Sequence, residues 1–108
     1  MRNLKELFAN NESVWLLCET EALQKQFLSQ AEEEGFLAMN GDHPSDLSFQ
    51  PLYGLHDDMT MGYLSVMIWS MTFPENGEDS HFRVNYGKYI AGEDDYICHT
   101  PHFSPVIR

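Results

Sequence analysis

The stretch Val14-Trp15-Leu16-Leu17-Cys18-Glu19-Thr20-Glu21-Ala22-Leu23-Gln24-Lys25-Gln26-Phe27-Leu28-Ser29-Gln30-Ala31-Glu32-Glu33-Glu34-Gly35-Phe36-Leu37-Ala38-Met39 decides the fold. Val14–Cys18 is almost continuously apolar, as expected of a strand covered on both faces. Thr20 stands where a helix N-cap is wanted, and Glu21 puts a negative charge in the first turn, where it suits the helix dipole. Leu23, Phe27, Leu28 and Ala31 then recur at helical spacing, and Gly35 offers a left-handed residue at the C-terminus. The pattern predicts a helix from about Glu21 to Glu34. Phe36–Met39 follows at once as a second strand. Connections this short force the second strand parallel to the first, in a right-handed βαβ unit. Glu32-Glu33-Glu34 carry the wrong sign for a helix C-terminus, at a cost of a few tenths of a kcal/mol each.

Outward from this unit the signals are shorter. Residues 3–9 predict a short helix, with Leu4, Leu7 and Phe8 on one side. Residues 40–48 are a loop by composition, and Phe49–Leu55 reads as an edge segment because Pro51 suits no central strand. Met61–Phe73 predicts the longest strand, with Leu64, Val66 and Ile68 on one face and Tyr63, Met67, Trp69, Met71 and Phe73 on the other. Both faces being apolar, a second cover is required: the N-terminal helix, the C-terminal tail or another subunit. Pro74–Ser80 is a hairpin-type connection. His81–Tyr86 alternates, with Phe82, Val84 and Tyr86 inward and Arg83 and Asn85 outward. Cys98–Pro105 reads as an extended tail. The fold class expected is α+β in two layers: a mixed sheet of four to five strands, one main helix and a short N-terminal helix, in a single domain over residues 1–108.

Composition narrows the function classes. Seventeen Asp and Glu face six Lys and Arg, for a formal net charge of −11 on 108 residues. That charge repels nucleic acid and anionic membrane and favours basic partners. At 43% apolar residues the chain has the material for a core. Cys18 and Cys98 match no spaced metal or redox motif, the N-terminus does not read as a signal peptide, and no apolar run suffices to span a bilayer. Together these point to a cytoplasmic protein with reduced thiols.

Cys18-Glu19-Thr20-Glu21, followed by Phe27–Phe36, resembles small β-α-β proteins of phages and mobile elements of Gram-positive bacteria. The resemblance covers residues 18–36. It implies a mobile-element context, in which small acidic proteins often inhibit host defence systems. It carries over no catalytic residues.

The acidic runs are the first candidate site. Glu32, Glu33 and Glu34, Asp57 and Asp58, and Glu93, Asp94 and Asp95 would supply a docking face for a basic, nucleic-acid-binding groove. DNA presents one charge per ~3.4 Å along each strand, so a protein mimic needs a comparable carboxylate row. The other expectation for these residues is an ordinary solvated surface. The aromatic and Met stripe Tyr63, Met67, Trp69, Met71 and Phe73 is either core or a dimer or partner face. A metal-dependent hydrolase acting through His56, Asp57 and Asp58 is the rival from another class. Cys98-His99-x-x-His102 is the nearest approach to a transition-metal motif, with too few paired ligands for a structural zinc site. No phosphate-binding loop, nucleophile elbow or dinucleotide fingerprint occurs. The expectation is a non-enzymatic acidic interaction protein that needs no cofactor and does not itself bind nucleic acid.

Overall fold

Alternation along the first strand sets the layers. The computed structural model describes residues 2–9, 13–71 and 82–98. Its strands are β1 (Ser13–Leu17), β2 (Leu37–Ala38), β3 (Leu52–His56), β4 (Thr60–Tyr63) and β5 (Phe82–Asn85). The α-helices are α1 (Glu21–Glu34), α2 (Val66–Met71) and α3 (Tyr86–Ile90), with short 3-10 helices at Leu4–Phe8 and Pro44–Asp46. All five strands form one mixed sheet in the order β2-β4-β3-β1-β5, an α+β architecture. Pairing is antiparallel for β1–β3 and β3–β4 and parallel for β1–β5 and β2–β4. The strands on either side of α1 therefore run the same way, as short connections demand. Two further strands, β3 and β4, are inserted between them.

The helix forms where its caps place it. Thr20 Oγ1 accepts from the Leu23 amide at 3.1 Å. Gly35 takes the left-handed conformation (φ 97°), so its own amide and that of Phe36 return to the Glu32 and Ala31 carbonyls. On the face it turns to the sheet, α1 buries Phe27, Leu28 and Ala31 against Val14, Leu16, Tyr53, Leu55, Met61 and Val84. Burying each large side chain is worth roughly 2–3 kcal/mol. Two glutamines are buried in that layer with their bonds made. Gln24 donates to the Cys18 carbonyl, and Gln30 donates to the Arg2 carbonyl and accepts from the Tyr86 hydroxyl.

The second face of the sheet carries the alternate residues, Trp15, Leu17 and Leu52, and its cover is α2. Trp69 of α2 is fully buried, stacked on Trp15 at 6.5 Å between ring centroids. The N-terminal 3-10 helix does not provide this cover, because Leu4 and Leu7 join α1 on the first face.

Four expectations need correction. Phe49–Leu55 is no edge: the strand is β3, shifted to Leu52–His56 and flanked on both sides, with Pro51 left outside it. Met61–Phe73 is not one strand. The extended chain ends at Tyr63, and Ser65 caps α2 by accepting the Ile68 amide at 3.0 Å. A helical turn then sends Met67 outward (69% exposed) and Trp69 inward (fully buried), so Tyr63, Met67 and Trp69 share no common face. Arg83 does not point to solvent: it is fully buried, with its guanidinium over the Trp15 and Trp69 rings at 5.1 and 5.6 Å. Tyr86 begins α3 rather than closing the last strand, because Asn85 caps that helix through the Lys88 amide. The side chain of Met71, Phe73, the 74–80 connection and the tail beyond Cys98 lie outside the described residues.

Both sheet edges are closed. On β5 the Asn85 amide reaches the Tyr96 carbonyl and the Cys98 amide reaches the Arg83 carbonyl. On β2 the chain curls back, so Ala38 bonds Asp42 and Gly41 instead of a further strand.

Candidate functional site

The three glutamates at the end of α1 have separate duties. Glu34 accepts the Leu4 amide at 2.9 Å, the Lys5 amide at 3.1 Å and the Gln30 side chain at 2.9 Å. It thereby caps the N-terminal 3-10 helix. Glu32 accepts both the hydroxyl and the amide of Ser45, at 2.6 and 3.2 Å, in the second 3-10 helix. The unfavourable sign at the C-terminus of α1 is thus offset by amides presented from two other segments. The Ser45 hydroxyl and amide also hold the Glu32 carboxyl below its usual range. Glu33 is exposed and makes no such bond.

Asp57 and Asp58 form the turn between β3 and β4. Asp58 accepts the Thr60 hydroxyl at 2.6 Å and the Thr60 amide at 3.1 Å, and these bonds lower its pKa. This turn lies at the end of the sheet where α1 stops: the Leu37 amide bonds the Met59 carbonyl, and the Met59 methyl faces Gly35. Glu32–Glu34 and Asp57–Asp58 therefore share one end of the molecule. His56 lies with its Nδ1 3.1 Å from the Ser13 hydroxyl. Among the described residues no three His, Cys, Asp or Glu side chains converge as a metal would require. His99 and His102 lie outside the described residues.

Glu93, Asp94 and Asp95 stand apart, in the loop between α3 and the chain that pairs with β5. There the cations gather as well. The Arg2 guanidinium donates to the Glu93 and Gly92 carbonyls, lies 3.6 Å from Asp94, and sits over the Tyr89 and Tyr96 rings at 5.2 Å each. Lys88 lies 3.4 Å from Asp95. Asp94 and Asp95 thus each have a cation close by.

The sheet order separates charge. Arg2, Arg83 and Lys88 belong to the β5 edge, and Lys5 and Lys25 to the helical layer. Between Lys25 and Arg83 the chain contains no Lys or Arg, and that stretch builds β2, β3, β4 and the loop 40–48. The β2–β4 edge therefore carries Glu32, Glu33, Asp42, Asp46, Asp57 and Asp58 with no Lys or Arg from its own segment, its basic residues being His43 and His56. Asp42 and Asp46 form no run in the sequence, so a search for acidic doublets and triplets passes over them. The long interval without a cation is the signal that finds them.

Comparisons with protein-family models, with curated proteins and with solved structures give no match to this chain. Among the described residues no helix is long and apolar enough to cross a membrane.

Proposed function

We propose that this chain is an acidic interaction module that docks the β2–β4 edge onto a basic protein surface of the kind that binds nucleic acid. It would occupy that surface in place of the nucleic acid and so inhibit the protein that bears it. One observation carries the proposal: the sheet order brings acidic chain without Lys or Arg to one edge, whereas Arg2, Arg83 and Lys88 stand at the other. Glu32, Glu33, Asp57 and Asp58 supply the electrostatic contact, joined by Asp42 and Asp46, while Glu34 is engaged in capping the N-terminal 3-10 helix. The run Glu93–Asp95 contributes less, because Asp94 and Asp95 are paired with Arg2 and Lys88.

Two features support the role. Glu32 and Asp58 are held ionised by hydrogen bonds that also fix their orientation, so less side-chain freedom is lost on contact. Carboxylates gathered at that edge also steer a basic partner to it before contact. In the mobile-element context that residues 18–36 suggest, the partner would be a nucleic-acid-binding protein of host defence. The test is stopped-flow association with a basic nuclease at roughly 50 and 200 mM salt. The expected rate falls about tenfold across that range; a rate independent of salt removes the electrostatic role.

A further inference from the structure

Beside the acidic edge lies a small, open apolar groove. It holds about 250 Å³ and is lined chiefly by Ala38, Met39, Leu47, Met61, Gly62 and Tyr63. Met61 is fully buried and forms its floor, while Met39 is 72% exposed at its lip. The Tyr63 ring is fixed as a wall, because its hydroxyl accepts the Ser48 amide at 2.7 Å. Thioether side chains adapt to irregular apolar guests, whereas a fixed tyrosine supplies a preformed surface.

Three carboxylates stand close to the segments that line this groove. Asp42 is hydrogen-bonded to the groove residue Asn40 at 3.1 Å, Asp46 immediately precedes Leu47, and Glu32 is bonded to Ser45 in the same 3-10 helix as Asp46. A second copy of the chain, at −11, would bring like charges together there. We infer that the groove takes an apolar side chain from a basic amphipathic segment of the partner, whose Lys and Arg residues engage these carboxylates. This rests on the acidic docking role proposed above and adds the anchor that charge alone does not provide. Rim charges set the rate and direction of approach; a desolvated apolar anchor sets the residence time.

The test uses the whole chain and two labelled peptides. One is a Lys- and Leu-bearing amphipathic peptide of about eighteen residues, or five helical turns. The other is an oligolysine of equal charge. Fluorescence anisotropy should show the amphipathic peptide binding roughly tenfold more tightly than oligolysine. Met39→Gln, which keeps size and charge at an exposed position, should weaken the amphipathic peptide roughly fivefold and leave oligolysine unchanged. Methionine methyl spectra of the unaltered chain should show the peptide shifting Met39 and Met61 but not Met67 on α2. Equal affinity for the two peptides, no effect of Met39→Gln, or shifts confined to Met67 would each overturn the groove and leave the acidic docking role standing. If neither peptide binds, both proposals fall. A dimer by light scattering that Met39→Gln dissociates would assign the groove to a second copy and overturn the basic-segment occupant.

Discussion

Glu33 and Glu34 are chain neighbours, yet substitution should separate them. Glu34 receives two backbone amides and the Gln30 side chain, so Glu34→Gln weakens charge-assisted bonds and should destabilise the fold by about 1 kcal/mol in urea titration. Glu33 lies exposed at the negative end of the α1 dipole, so Glu33→Gln should be neutral or stabilising by a few tenths of a kcal/mol. A second residue-scale prediction concerns pH. The folded-state pKa values of Glu32 and Asp58 are lowered by Ser45 and Thr60, so their contribution to stability is present above the ordinary carboxylate pKa. It is lost as pH falls through the folded values. Ser45→Ala and Thr60→Ala should therefore raise the pKa of Glu32 and Asp58 respectively towards the ordinary value in carboxyl-carbon NMR titrations. At this scale Thr20 and Gly35 were legible, because a cap and a left-handed C-terminus are local demands that residue type meets directly. Arg83 was not legible: alternation assigns a charged residue to solvent, and nothing in the sequence announces two indole faces waiting for it.

The main helix is fixed at both ends by sequence, which is why its predicted span of about 21–34 matches α1. Gly35→Ala places a side chain at φ 97° and should destabilise by about 1–2 kcal/mol. Trp69→Ala in α2 should cost about 3–5 kcal/mol, because Trp69 fills the second face over Trp15 and Arg83. Met67→Ala in the same helix should change stability by less than about 0.5 kcal/mol. Equilibrium denaturation of the two variants checks the orientation of α2. The misreading of 61–73 has a physical basis: a short apolar run satisfies strand and helix periodicity alike when both faces are apolar. Ser65, which caps α2, was the available signal. Asn85 played the same part for α3, and each was hidden inside a run that alternation alone could explain.

At the scale of the whole molecule the excess of carboxylates repels itself, so added neutral salt should raise the thermal midpoint by screening that repulsion. A falling midpoint would mean that the paired cations at the β5 edge matter more than the surplus at the other. The net charge was legible from composition, and so was a mixed sheet with one main helix. The strand order was not, since long-range pairing decides which segment reaches which edge. That order carries β2 and β4, which come from an interval of sequence without Lys or Arg, to one edge of the sheet. The most direct test compares two neutralised variants of equal charge, Glu33→Gln with Asp42→Asn and Asp46→Asn, and Glu93→Gln with Asp94→Asn and Asp95→Asn. Their association rates with one basic nuclease are measured at low salt. The first variant should associate several-fold more slowly than the second, by roughly the factor that electrostatic steering supplies. Equal slowing of both would show that net charge alone acts, and would contradict a recognition surface at the β2–β4 edge.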